Sequence, residues 1–195
     1  MKTKYLYIIT FILFLVSCGP KTESEPTVFT EDNYVNAIIE VPSGDKSNLN
    51  YDEISNTFDG ANVKKANKYL SYVGNYGFIT GTATNISEQG DGLPVDVLVL
   101  SKRQKLGKIV TTKPIALLKL VRNGKLDYKV ISLPSKPSRN FSKVTCFKDL
   151  QTQHPEIETM VEMWFKNHDK LTNEDIVGWG NEEEAIAYIK ANIKS

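Results

Sequence analysis

Five short runs of β-branched and aliphatic residues, each broken by Gly, Pro, Asn or Asp, dominate the middle of the chain. They are YVNAIIEVP from Tyr34, GFITGTAT from Gly77, VDVLVLS from Val95, KIVTTKPIALLKLV from Lys108 and DYKVISLP from Asp127. Runs of this length, alternating or wholly apolar and bounded by turn residues, read as strands. No helical segment separates them, which favours an antiparallel barrel over a parallel sheet.

The period changes in HPEIETMVEMWFKNH. Pro155 stands at an early helical position, where its missing N–H costs little, and Ile157, Met160, Val161, Trp164 and Phe165 recur at helical spacing. The pattern predicts a helix with one face on the barrel. A second helix is expected after Gly180, with Asn181 as its cap and three glutamates in the first turn, at the positive end of the helix dipole. Ile186, Ile189 and Ile193 form its expected buried stripe. The fold class is therefore α+β, mostly β, with the helices flanking the barrel at the C-terminal end.

The first 18 residues, MKTKYLYIITFILFLVSC, place two lysines before an uncharged run from Tyr5 to Val16. That run is shorter than the roughly 20 residues a helix needs to cross a bilayer, so it reads as a signal peptide. Leu15-Val16-Ser17-Cys18 resembles the lipobox of bacterial lipoproteins, in which the cysteine is acylated and begins the mature chain; an ordinary signal-peptidase site is the alternative. At about 0.8 kcal/mol per buried methylene, several acyl chains hold firmly where one is marginal. The following GPKTESEPTVFTED has two prolines, four acids and little to bury, so it reads as a tether. The expected organisation is a signal peptide over 1–17, a flexible tether with lipidated Cys18 over 18–33, and one folded domain over 34–195. Its location would be extracytoplasmic, anchored by lipid to a bacterial membrane.

Without residues 1–17 the chain loses Lys2 and Lys4 and no acid, so 24 − 2 = 22 bases face 23 acids. That near balance argues against a nucleic-acid partner. Once Cys18 is acylated, Cys146 has no partner for an intrachain disulfide.

The stretch GDGLPVDVLVL, Gly90 to Leu100, sets Asp91 and Asp96 around a turn that leads into a strand. Asp-Gly and Pro before a strand are ordinary turn chemistry. Two acids so placed, with Asp127 at the edge of a later strand, also suit a metal site if the strands are neighbours. Lys129, two residues beyond Asp127, points to the same face of its strand. Glu40 lies in an apolar run before Pro42, where an unpaired buried carboxylate is expensive and calls for a cation.

IIEVP at Ile38, YVGNYGFI at Tyr72, GDGLPVDVLVL at Gly90, GKLDYKVISLP at Gly124 and VGWGNEEEA at Val177 occur in an order and spacing that resembles the family I soluble inorganic pyrophosphatases. The resemblance spans roughly Val35 to Ile189. It implies a five-stranded OB-like barrel, inorganic diphosphate as substrate and Mg²⁺ as cofactor, with Mn²⁺ or Co²⁺ as substitutes. It further implies Asp91, Asp96 and Asp127 as ligands of the tightest metal ion, Glu40 at the edge of the metal cluster and Lys129 on a phosphate oxygen. Tyr72 matches a phenol near the leaving group, and Tyr76 one that orders the acids. Lys64 or Lys65 stands for a phosphate-binding arginine, keeping the charge without the bidentate fork.

Several positions depart from the family pattern. Leu93 replaces the middle aspartate of GDGDPxD, the family's usual acceptor of the proton from the attacking water, and loss of a positioned base costs about 10²- to 10⁴-fold. Asn48 and Asn50 replace a lysine and a glutamate, Arg122 an aspartate, and His168-Asp169 a Tyr-Lys pair. Lys46 or Lys170 is a candidate substitute for the lost phosphate grip, and Arg122 for one metal as a fixed cation. His168 is expected as an exposed helical residue. Two functions stay open: a lipid-anchored Mg²⁺-dependent diphosphatase, and a catalytically impaired relative that binds a phosphate-bearing ligand or an envelope partner. The sequence leaves room for a homo-oligomer.

Overall fold

A computed structural model describes residues 28–30, 32–52, 57–65, 70–86, 90–168 and 174–194, with backbone only for 47–52 and 57–65. The expected signal peptide and Cys18 lie outside the described residues. The strands are β1 (Val35–Val41), β2 (Ser47–Asp52), β3 (Thr57–Lys65), β4 (Asn75–Ile79), β5 (Asp96–Val99), β6 (Ile109–Arg122), β7 (Lys125–Leu126), β8 (Lys129–Pro134) and β9 (Glu174–Gly180). The helices are α1 (Phe147–Gln153), α2 (Pro155–Asn167) and α3 (Glu182–Ala191). No described helix is long and apolar enough to cross a membrane.

Strands β1, β4, β5, β8 and β6 form a ring that closes through β1 on β6. Closure depends on the length of β6. Its first residues pair with β1, its middle with β8, and its second half also with β9. Pro114 interrupts this strand without ending it, because the register shifts between Pro114 and Ala116, an irregularity that accommodates a missing N–H. The expected antiparallel ring has one exception among its described pairings. β5 and β8 run parallel, since β6 returns the chain between them.

Each face of the ring strands is buried. On β5, Val97 and Val99 face a core shared with Ala185 and Ile189 of α3, while Leu98 faces a second core shared with α1 and α2. That two-sided burial explains why the central runs read as wholly apolar. β1 and β4 approach so closely that a Cβ on Gly77 would lie 1.8 Å from the Ile38 carbonyl oxygen. Only glycine fits there.

Both long helices form where expected, with different details. Asn181 caps α3 by accepting the Glu184 N–H at 3.0 Å. The inward face of α3 is Ala185 and Ile189; Ile193 lies past the helix end and is exposed, as is Met160 on α2. Four elements lie outside the predicted runs: the β2–β3 hairpin, the two-residue β7, the short helix α1, and β9, of which only VGWG belongs to a motif named above. Cys146 is a free thiol.

Candidate active site

The parallel pairing of β5 with β8 sets Val97 beside Val130, so Asp96 and Lys129 begin neighbouring strands at one end of the barrel. Lys129 is almost wholly buried, at 1% exposure, and its ammonium donates to both Asp96 Oδ2 and Asp127 Oδ1. Burial pulls the Lys129 pKa down, but the charges of Asp96 and Asp127 more than reverse this, so the ammonium ends above its ordinary value and stays protonated. On the far side of Asp127, Arg122 Nε lies 3.0 Å from Oδ2, and Arg122 Nη2 lies 2.6 Å from Oε1 of Glu174. The β6–β9 register places Arg122 opposite Glu174.

Tyr76 extends the cluster. Burial first, then the negative charges of Asp96 and Asp127, push its phenol well above the ordinary value, and it hydrogen-bonds Asp96. A phenol so placed keeps its proton and can only donate to that carboxylate. Behind it lies an aromatic stack: Tyr72 is 5.5 Å from Tyr76 and 4.6 Å from Trp164, whose indole N–H donates to Ser71 O at 2.8 Å. Tyr188 of α3 faces the same rim. Its pKa is raised by burial, then by Asp96, Asp127 and Asp91, so all three aspartates act on one phenol.

Asp91 belongs to its own turn. Its Oδ1 accepts from the Thr84 hydroxyl at 2.8 Å and from the Leu93 N–H at 2.9 Å, while Thr84 Oγ1 accepts the Gly92 N–H at 3.1 Å. Gly92 takes a φ of +80°, which glycine adopts without strain. Leu93 is 62% exposed at this turn, with its side chain in solvent. Glu40 sits half-buried at the register shift between Ile39 and Val41. Lys64 and Lys65 end β3, and Asn48 pairs with Lys64 across the hairpin; their side chains are outside the described ones, as are Asp169 and Lys170 altogether.

His168 is not an exposed helical residue. Its ring stacks on Trp164 at 4.3 Å and 15°, its Nδ1–H donates to Phe165 O at 3.0 Å, and Nδ1 lies 3.8 Å from Oε2 of Glu174. Spacing alone contained the clue, because residues four apart on a helix are neighbours. Arg122, Glu174 and His168 thus form a connected group beside Asp127 that the sequence did not reveal as a unit.

The family model for inorganic pyrophosphatase matches residues 37–195. The chain belongs to the inorganic pyrophosphatase family. An inorganic pyrophosphatase of Brucella melitensis is 33% identical over 163 residues, covering 80% of this chain and 86% of the relative. One from Synechocystis is 27% identical over 164 residues, covering 83% and 90%. The crystal structure of the Thermus thermophilus inorganic pyrophosphatase has a TM-score of 0.72 at 24% identity, covering 85% of this chain and 93% of that one, and shows the shared fold.

Members of this pyrophosphatase family generally work with divalent cations such as Mg²⁺. Among the described residues, no group of three or more His, Cys, Asp or Glu is arranged to hold a metal ion. Asp96 and Asp127 converge on the Lys129 ammonium, Asp127 also meets Arg122, and Asp91 is engaged in its turn. Leu93 offers no donor. As arranged, these residues do not fit the resident metal cluster that the resemblance implies. Two fixed cations, Lys129 and Arg122, occupy the carboxylate of Asp127.

Proposed function

We propose that this chain hydrolyses inorganic diphosphate to two phosphates, slowly, with Mg²⁺, as a lipid-anchored extracytoplasmic pyrophosphatase. Family membership supports the reaction class. The observation that carries the reading to particular residues is the convergence of Asp96, Asp127 and Tyr76 on Lys129 at one barrel rim. Among the described residues, Asp91, Asp96, Asp127 and Glu174 bring four negative charges there, and Lys129 and Arg122 two positive ones, a net of about −2. A diphosphate anion meets repulsion at such a rim, so the substrate enters as its magnesium complex, whose cation offsets that charge. Lys129 holds the two aspartates in place, and Tyr76 fixes Asp96 through a phenol that keeps its proton.

A second reading is favoured by Leu93 and by the engagement of Asp127 with both fixed cations. In it the protein is a catalytically impaired relative that binds a phosphate-bearing ligand or an envelope partner. A phosphate-release assay with diphosphate and Mg²⁺, Mn²⁺ or Co²⁺ separates the two. Release above that of an Asp96→Asn control supports hydrolysis; binding of magnesium diphosphate by calorimetry without release supports the second reading. Loss of palmitate labelling in a Cys18→Ser variant tests the anchor.

A further inference from the structure

Residues 101–148 contain thirteen lysines and arginines and a single acid, Asp127. Five of the nine exposed ones, Lys102, Arg103, Lys105, Lys108 and Lys136, gather at the end of the barrel away from the acid rim. β5 and β8 start at Asp96 and Lys129 and end beside Ser101 and Pro134, five residues further on, or about 16 Å at strand rise. There the β5–β6 loop, SKRQKLGKI, exposes Lys102, Lys105 and Lys108 together with Leu106 at 41% and Ile109 at 59%. Across a cleft of about 500 Å³ stands Lys136, with Thr111, Ser135 and Ser138 also on its walls. Arg103 is held by Asp45, but among the described residues no acid pairs with Lys102, Lys105, Lys108 or Lys136.

The loop is built, not loose. Asn75, fully buried, accepts the Gln104 N–H at 2.7 Å and donates to Lys102 O at 3.1 Å. Ile39 of β1 accepts the Gly107 N–H at 2.8 Å and donates to Lys108 O at 3.1 Å. Cations ringing two exposed aliphatic side chains on a rigid loop match the interface of an anionic bilayer, where the charges meet headgroups and the apolar tips enter the acyl boundary.

We propose that this basic end is a docking face for anionic phospholipid headgroups. The inference rests on the anchored reading above for its setting, and chain length agrees with it. The ten residues 18–27 span at most about 35 Å. They join the domain at Val28, beside the Phe29–Val35 bridge, and Val35 lies four residues along β1 from Ile39, about 13 Å. The face is within reach of the bilayer that holds Cys18. Docked this way, the Asp96–Lys129 rim opens away from the membrane, toward diffusing substrate.

The test uses an unlipidated chain from residue 18 with Cys18→Ser, which keeps both cores, since every core residue lies at or after Val28. Its sedimentation is measured with vesicles of phosphatidylcholine alone and with 30% phosphatidylglycerol. The expected result is salt-sensitive partitioning onto the anionic vesicles only. Lys105→Glu/Lys108→Glu/Lys136→Glu should weaken it at least about a hundredfold, at roughly fivefold per lysine. Lys125→Glu/Lys148→Glu/Lys166→Glu, an equal charge change on exposed lysines elsewhere, should retain most of it. Equal partitioning on both vesicle types, equal loss in both variants, or retention on soluble polyphosphate without vesicle binding would overturn the proposal. Folding of each variant is checked by its melting curve. Absence of palmitate labelling in cells would remove the anchor and leave the vesicle result standing, so the two failures are distinguishable.

Discussion

Lys129→Met removes the cation that two carboxylates share while keeping most of the side-chain volume. The position is 1% exposed, and the side chains of Asp127 and Asp96 are 19% and 31% exposed, so none of the three is well solvated. Breaking a buried ion pair by deleting one partner costs about 3–5 kcal/mol, because the remaining charge stays desolvated. For a domain of this size each kcal/mol moves the melting point about 2–4 °C, which predicts a fall of roughly 6–20 °C. Adding Asp96→Asn to Lys129→Met should recover most of it, since Asp127 keeps Arg122 as its partner and the carboxylate left without one is then neutral. The same variant tests the competition between lysine and metal. Millimolar Mg²⁺ should raise the melting point of Lys129→Met by a few degrees, through binding to the folded state, and leave the unsubstituted protein within about 1 °C. A Lys129→Met melting point within about 2 °C of the original, or an equal Mg²⁺ response in both proteins, would refute the fixed-cation account.

Leu93→Asp should keep stability within about 0.5 kcal/mol, because the side chain is 62% exposed and the turn bonds at that residue are backbone ones. By supplying a proton acceptor it should raise phosphate release about 10²- to 10⁴-fold, and an unchanged rate in a folded variant would count against that role. Gly77→Ala should prevent soluble expression or lower the melting point by more than about 10 °C, since its Cβ would meet the Ile38 carbonyl at 1.8 Å. A well-folded Gly77→Ala protein would contradict the packing of β1 on β4. Asp149 is held below its ordinary carboxylate value of 3.8 by the Thr145 hydroxyl, 2.7 Å away, and then by the Thr145 N–H. That stabilisation is present above 3.8 and fades as pH falls through the lowered folded value. Asp149→Asn should therefore melt lower than the parent at pH 7, and the gap should close in acid; a gap independent of pH would point to a purely steric effect.

The ring strands were legible because each carries a buried, short-period apolar run between turn residues, and α2 because its apolar positions repeat at helical spacing. The hairpin of β2 and β3 was not, since SNLNYD and TFDGANVKK are mostly polar and offer no such run. Helix α1 has two buried residues, Phe147 and Leu150, too few for a periodic signal. At the site, Asp96, Asp127 and Lys129 could be grouped from strand periodicity and family register. Glu174 could not, because it lies 52 residues after Arg122 in sequence and reaches it only through the β6–β9 pairing. Asp91 was open to two readings, and its local bonds are those of a turn.

The most direct measurement of the central claim is the rate of phosphate release with free Mg²⁺ and magnesium diphosphate varied independently. The account predicts a slow rate that saturates with the magnesium diphosphate complex, changes little with further free Mg²⁺ and disappears in Asp96→Asn. No release at any concentration, or a rate that climbs with free Mg²⁺ at a fixed level of the complex, would contradict it.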